Sequence, residues 1–403
     1  MQTEGYTDVS ISWTAFLLKL CGVWLAENSV EKRKRKFFIA YTGFMLVYGV
    51  YLNAVDTYHR WGDLSHCIFL INNTLCISLA IFKLSMMTVR RTEFIYITTY
   101  AQRNFWHLNY NHDEKVHFTQ CVKFCKLWVV AMYVMTQGVL IGYVIVPLSA
   151  NVGRNRSDRV LPFKMWVDLP LSVTPYYELM FILQVICIYH IGASYLSAEC
   201  FVCLLNMHAI CQFRILQQRL LNLWPSIDKQ SNPIEYVNKY YTAMKKCIRD
   251  HQSLLEFCDK LNTVYTLPIL GNMMVFSMMM CFDTYEVFLA DVSTWTRNIF
   301  LFHMIGTFIH IYFLTYSCHG LLDESMNVCT ATYSSVWTNL PMNKVGQILR
   351  RHVILMMMRS QRPCCLTAGG FFPVSLETST AIMSSTMSYF ALMRQSSADD
   401  NGN

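Results

Sequence analysis

Hydrophobic runs without a single charge recur along this chain. They occupy Phe37–Val55, Leu64–Phe82, Leu127–Gly153, Leu179–Ala198, Leu261–Phe282 and Asn298–Leu322. Each meets the roughly 18-residue apolar length that predicts a membrane-spanning helix. A seventh apolar segment, Cys365–Arg394, is as long but different in kind. Ser375, Thr378, Ser379, Thr380, Ser384, Ser385, Thr386 and Ser388 are scattered through it, and Glu377 is its one charge between Pro363 and Met393. A lipid-facing helix gains nothing from so many hydroxyls, whereas one lining water or packing closely on neighbours does. The predicted fold class is all-α: a polytopic membrane protein with seven transmembrane helices.

Helical periodicity continues between the spans. Beyond Ala198 it persists through Leu204, Leu205, Ile210, Leu216 and Leu220, so the fourth helix extends past the membrane until Trp224-Pro225 and Ser231-Asn232-Pro233 break it. Tyr236–Leu261 carries Tyr240, Met244, Cys247, Leu254, Leu255 and Cys258 on one stripe and returns as the fifth helix. Asp323–Trp337 and Asn343–Arg359 read as two further helices separated at Pro341, with Val345, Ile348, Leu349, Val353, Leu355 and Met356 on apolar faces. Pro363, Gly369-Gly370 and Pro373 predict a last helix broken into a cytoplasmic half and a membrane half.

Composition agrees: 54% of the 403 residues are hydrophobic and 15% charged, against about a quarter charged in a soluble domain. Charge also sets the orientation. Of 33 Lys and Arg residues, 26 fall in the N-terminus and in the loops joining spans two to three, four to five and six to seven, and 7 in the alternate set. Positive loops stay in the cytoplasm, so the N-terminus is expected inside and the C-terminus outside. The run Lys32–Lys36, directly before the first span, reads as a retention signal rather than a nucleic-acid patch, and no nucleic-acid partner is expected. No cleavable signal peptide is evident, because Lys19 interrupts the apolar segment Ile11–Ala26. The sequon Asn155-Arg156-Ser157 falls in an outer loop, making Asn155 a candidate glycosylation site, whereas Asn72-Asn73-Thr74 lies inside a span.

None of the sixteen cysteines lies in the outer segments Pro147–Tyr176, Asp283–Arg297 or Arg394–Asn403. They read as small apolar core residues or reduced cytoplasmic thiols, Cys200 and Cys203 included. No P-loop, HExxH, Gly-x-Ser-x-Gly or metal-spaced Cys/His cluster is visible, so neither enzyme activity nor a cofactor is expected. Asn232-Pro233-Ile234-Glu235-Tyr236 matches a G-protein-coupled receptor motif but sits in a polar loop. Glu199 and Glu377 have no evident basic partners within the spans, which speaks against a transporter.

Leu366-Thr-Ala-Gly-Gly-Phe-Phe-Pro-Val-Ser-Leu-Glu-Thr378, followed by Met387-Ser388-Tyr389-Phe390, closely resembles the C-terminal signature of insect odorant receptors. Leu18–Trp24 resembles the family's N-terminal pattern, with Leu25 where proline is usual, and Asp250–Phe257 its helix before the fifth span. Ser379 stands in place of a usual phenylalanine and Ser384 in place of a common basic residue. The likeness covers essentially the whole chain. It implies a ligand-gated, poorly selective cation channel in the plasma membrane of olfactory sensory neurons. Such a channel is a heterotetramer with an obligate co-receptor subunit of the same fold, and each subunit gives its last helix to a central pore. Besides the co-receptor, the partners implied are a small volatile organic ligand and membrane lipid.

By that resemblance Ser385, Ser388, Leu392 and Gln395, at spacings of 3, 4 and 3, form the pore-facing stripe, with Leu392 as candidate gate. The same stripe would also serve as a seam between helices. The ligand is expected in an apolar cavity among spans two, three, four and six, in the outer half of the membrane. Candidate lining residues are Phe69, Asn72, Asn73, Tyr133, Gln137, Met180, Gln184, Met304, Phe308 and Tyr312. The expected organisation is a cytoplasmic N-terminus (1–36), spans one to six with cytoplasmic extensions of helices four and five (37–322), cytoplasmic anchor helices (323–362), a pore-lining seventh helix (363–395) and an extracellular tail (396–403). A gustatory receptor of the same fold is an alternative, opposed by the ending Met393-Arg394-Gln395. A G-protein-coupled receptor is a second, opposed by the charge distribution and the missing outer cysteines.

Overall fold

The computed structural model describes residues 6–26, 28–153, 155, 159–163, 165, 173–223, 233–292, 294–335, 337, 340, 342 and 344–400. The breaks expected at 224–232 and at Pro341 lie outside the described residues. In chain order the elements are α1 (Val9–Leu20), α2 (Ser29–His59), α3 (Leu64–Val89), α4 (Arg91–Asn104), α5 (His112–Ala150), α6 (Tyr176–Leu221), α7 (Pro233–Phe288), α8 (Thr294–Ser334), α9 (Lys344–Ser360), β1 (Thr367–Ala368), β2 (Phe372–Pro373) and α10 (Leu376–Asp400). Among the described residues, α2, α3, α5, α6, α7 and α8 are long and apolar enough to cross a membrane, and they carry the six uncharged runs. The chain is a multi-pass membrane protein. Its seventh long element at the C-terminal end, α10, is too polar to reach that threshold, as its hydroxyls foretell.

The extensions beyond the spans are continuous with them. α6 runs on to Leu221, and α7 continues from Pro233 to Phe288 through Pro268. α8 passes the expected boundary at 322/323 without a break, so the sixth span and the first anchor helix are one helix. α6 is the hub, packing on α1, α2, α3, α5, α7 and α8. Every residue from Leu196 to Cys211 is buried as a result.

Two helices are not in the sequence expectation. α1 begins where the Asp8 carboxylate accepts the Ile11 N–H at 2.9 Å and the Ser10 hydroxyl at 2.7 Å, a side-chain cap. It ends at Gly22, whose φ of +75° and tight fit against α2 (an added Cβ would lie 2.7 Å from Ile39 N) admit only glycine. α4 buries Phe94, Ile97, Thr98 and Ala101 and packs on α7.

Away from the spans, one charged knot ties α5, α6 and α7 together. Glu114 closes a capping box with Asn111 at the start of α5. It also accepts from Arg219 Nε at 2.7 Å, and Arg219 Nη1 donates to Asp250 at 2.8 Å. Burial alone would raise the Glu114 carboxyl, but the Arg219 and Asn111 hydrogen bonds outweigh it and hold it below its ordinary value. Its contribution to stability is present above the ordinary carboxylate range and is lost as pH falls through the lowered value.

The last segment differs most from expectation. The helix read as starting at Cys365 starts at Leu376, and it extends to Asp400, through most of the expected tail. Before it, β1 and β2 pair antiparallel, joined through Gly369 (φ +62°) and Gly370 (φ +79°), backbone shapes a helix cannot contain. This hairpin is clamped on α7. Gly369 N–H donates to the Thr266 carbonyl at 2.9 Å, and Thr367 N–H donates to Asn262 Oδ1 at 2.9 Å.

Candidate functional site

An apolar cavity of about 160 Å³ lies among α3, α5, α6 and α8, with Phe163 of the α5–α6 connection completing its wall. Ile77, Met132, Met135, Leu140, Ile188 and Phe302 give it an apolar surface. α8 presents His303, Gly306, Thr307 and His310, one face of a helix at spacings of 3, 1 and 3. Small residues make the room: a Cβ on Gly306 would meet only Met135 Cε, at 3.6 Å. A cavity of roughly 150 Å³ takes a benzene-sized guest, so this one suits a small, mainly apolar molecule with one polar handle. Asn73, Thr136, Tyr143, Thr307 and the two histidines could meet that handle.

Of the residues expected at this site, Asn73 lines the cavity and accepts a hydrogen bond from the Tyr143 hydroxyl. Phe69 stands behind the wall, its ring centroid 5.5 Å from that of Tyr143. Asn72 turns to α7, donating to Asp283 at 2.9 Å. Gln184 is buried and pins Phe163, accepting its N–H at 2.9 Å and donating to its carbonyl at 3.0 Å. Met180 lies against the Tyr48 hydroxyl, and Met304 packs toward Phe276 and Ile311. Gln137 is half-buried off the wall. Tyr133, Phe308 and Tyr312 are exposed on the outer surface, the last two stacked on each other. Helix phase separates the two groups: Phe308 and Tyr312 flank the inward face that His303, Gly306, Thr307 and His310 form.

Directly against the cavity lies a buried charged cluster that overturns one expectation. Glu199 does have basic partners. Lys83 Nζ forms an ion pair with its Oε1, Asn272 Nδ2 donates to the same oxygen at 2.9 Å, and His310 Nε2 approaches Oε2 to 2.9 Å at an angle outside hydrogen-bond geometry. Lys83 also lies 4.8 Å from the centre of the Tyr195 ring. Lys83 follows the uncharged run Leu64–Phe82 directly and counts with the loop on sequence alone, but α3 continues to Val89 and carries it into the protein interior. A buried carboxylate needs such partners. The cluster joins α3, α6, α7 and α8, and His310 belongs both to it and to the cavity wall. A second link runs from His303 in the wall to Asp283 of α7, at 2.7 Å.

α10 packs on α7 and α8 through Ser379, Ile382, Thr386 and Phe390, the last beside Phe288 with ring centroids 5.6 Å apart. Its other side is uncovered in the single chain, and Ser385, Ser388, Leu392 and Gln395 are all exposed there. The hydroxyls do not go unpaired. Ser385 donates to the Ala381 carbonyl at 2.9 Å and Ser388 to that of Ser384 at 3.0 Å. Such bonds let a serine-rich helix persist in an apolar setting. Asn155 is exposed, while Arg156 and Ser157 of its sequon lie outside the described residues.

Comparison with known proteins finds similar chains. A family model described as 7tm Odorant receptor matches residues 69–387. Odorant receptor Or2 of Anopheles gambiae is 21% identical over 379 residues, covering 93% of this chain and 96% of that protein. Odorant receptor 30a of Drosophila melanogaster is 26% identical over 258 residues, 63% of each chain. The insect olfactory receptor OR5 from Machilis hrabei superposes with a TM-score of 0.76 at 14% identity, covering 95% of this chain and 97% of that one. The same receptor in complex with eugenol gives 0.75 at 15% identity.

Proposed function

We propose that this chain, which belongs to the insect odorant receptor family, is the odorant-binding subunit of a ligand-gated, poorly selective cation channel. It assembles with a co-receptor subunit of the same fold in the plasma membrane of olfactory sensory neurons, the N-terminus in the cytoplasm and the C-terminus outside. The observation that carries the reading is the continuity from cavity to last helix. His310 and His303 of the cavity wall contact Glu199 and Asp283, Glu199 also holds Asn272 of α7, and α7 carries both the hairpin clamp and α10. A small apolar odorant filling the cavity bears on α8 and α6. Any shift of those helices reaches α10 directly from α8 and through α7, because packed interiors move as discrete units rather than deforming smoothly.

In the open tetramer α10 gives Ser385, Ser388, Leu392 and Gln395 to the pore. Hydroxyls along the path hydrate a cation without selecting it, and Leu392 closes the path by dewetting. The eugenol complex of the Machilis hrabei receptor supports a small aromatic molecule as the class of guest.

Gly306→Leu tests the cavity. Its Cβ meets only Met135 Cε, at 3.6 Å, the rest of the side chain takes up cavity volume, and a good helix former replaces a helix-weakening glycine. Odorant-evoked current in cells co-expressing the co-receptor should need at least roughly tenfold more ligand, about 1.4 kcal/mol of binding, with surface expression unchanged. An unaltered dose–response curve would remove this cavity from the ligand site. Orientation has its own test. A tag after Asn403 should label intact cells and a tag before Met1 only permeabilised ones; the reverse pattern would invert the channel reading.

A further inference from the structure

Cys121 and Cys125 stand one turn apart on α5, and His208 and Cys211 nearly one turn apart on the facing side of α6. All four side chains are buried, with His208 fully enclosed and Cys125 1% exposed. The two sulfurs of α5 and a ring nitrogen of His208 lie within 4.8 Å of one another. Cys211 lies beside Cys121, outside that tight group of three. No sequence spacing announces this group, because the two pairs are separated by most of α5 and α6; the expectation of no metal-spaced Cys/His cluster holds only for the linear sequence.

His208 is the observation that points to a ligand. Both of its ring nitrogens are buried and neither has a hydrogen-bond partner. Its ring neighbours are Trp106 and Phe118, with centroids at 6.1 and 6.2 Å, and the Trp106 indole N–H, itself buried without a partner, makes no hydrogen bond to it. A neutral imidazole still has one donor and one acceptor to satisfy, so an enclosed histidine with neither met is unusual. Thiols alone would pack there as small hydrophobes; the imidazole among them would not.

We propose that Cys121, Cys125, His208 and Cys211 form a buried zinc site joining α5 to α6. The donor set is the three-cysteine, one-histidine combination of structural zinc centres, in which Zn–S distances of about 2.3 Å and Zn–N distances of about 2.0 Å put ligand atoms roughly 3.5 Å apart. Cys121, Cys125 and His208 need to contract by about an ångström to reach this, and Cys211 closes the fourth position by side-chain rotation. Each ligating thiol gives up its proton as the metal binds, and His208 ligates in its neutral form. Asp8, near enough to Cys121 and His208 to act on both electrostatically, has one carboxylate oxygen buried and unpartnered, suitable for orienting the imidazole.

Access exists as well. A cavity of about 280 Å³ reaches Cys121 and Cys211, and His117, His319, Asp323 and Glu324 stand around it. The ligands precede the uncharged run of α5 and follow that of α6, which places them on the side assigned to the cytoplasm. There thiols stay reduced and available to a metal. The site would lock together the two helices that form one wall of the odorant cavity.

The receptor complex, purified in detergent without chelator, should carry one zinc per copy of this chain by elemental mass spectrometry. The Cys121→Ser/Cys125→Ser complex should carry none beyond the co-receptor's own content, and Cys318→Ser, a buried thiol outside the cluster, should keep the full amount. Should the double variant fail to assemble, chelator-stripped wild-type complex titrated with Co²⁺ decides. A thiolate-to-cobalt charge-transfer band saturating at one equivalent, and displaced by Zn²⁺, is the expected result. Absence of zinc together with absence of that band would overturn the site, as would zinc retained in full by a folded double variant.

Discussion

Lys83→Met should destabilise the receptor by about 3–5 kcal/mol, the usual consequence of leaving half of a buried ion pair behind. Lys83 and Glu199 are each only 2% exposed, and Asn272 brings no charge that could replace that of Lys83. Thermal unfolding of the detergent-purified complex, followed by size-exclusion fluorescence, reads the loss. The companion double variant Lys83→Met/Glu199→Leu is the more informative one. Replacing a buried pair by apolar residues of similar volume is often neutral or stabilising, so thermal stability should return to near wild type. Odorant-evoked current should not return, because Glu199 would no longer hold His310 of the cavity wall to Asn272 of α7. If current recovers along with stability, the cluster only holds helices together and the route from cavity to pore runs elsewhere.

Much of the architecture was legible because apolar length and charge count are local properties. Six runs announced six spanning helices, and periodicity through Leu204, Ile210 and Leu220 announced the extension of α6. What stayed hidden depended on phase or on distant partners. Phe308 and Tyr312 are large aromatic residues of the kind a cavity wall uses, but they lie off the inward face of α8; Gly306 and the flanking His303 and His310, small and polar residues within an apolar run, were the better signal. Lys83 gave no sign of being internal, since a charge at the end of a run reads as the start of a loop until the helix is seen to continue. α4 is too polar overall to stand out, though Phe94, Ile97, Thr98 and Ala101 carry its spacing. The zinc-type cluster needed two helices brought together, and the Gly369-Gly370 hairpin needed positive φ angles, which composition marks only as a weak point in a helix.

α9 shows how the structure divides residues that periodicity joins, and it supplies the second large effect. Val353 and Leu355 are both apolar, yet Val353 is fully buried against its own subunit while Leu355 is 60% exposed. Val345, Ile348 and Met358 share that outward side with Leu355. An apolar stripe on a helix that is not among the membrane-crossing ones has no lipid to cover it, and single chains seldom leave such a surface open. In the proposed tetramer the neighbouring subunits cover it. Leu355→Asp should therefore abolish recovery of the complex with the co-receptor while leaving the single chain folded, because a charge on an uncovered surface costs the monomer little. Val353→Asp should instead remove the protein altogether, since it buries an unpaired carboxylate between α8, α9 and their neighbours. Co-purification on a tagged co-receptor, with total protein measured in parallel, separates the outcomes. Full co-purification of Leu355→Asp would mean that α9 serves only its own subunit, and that assembly rests on other surfaces.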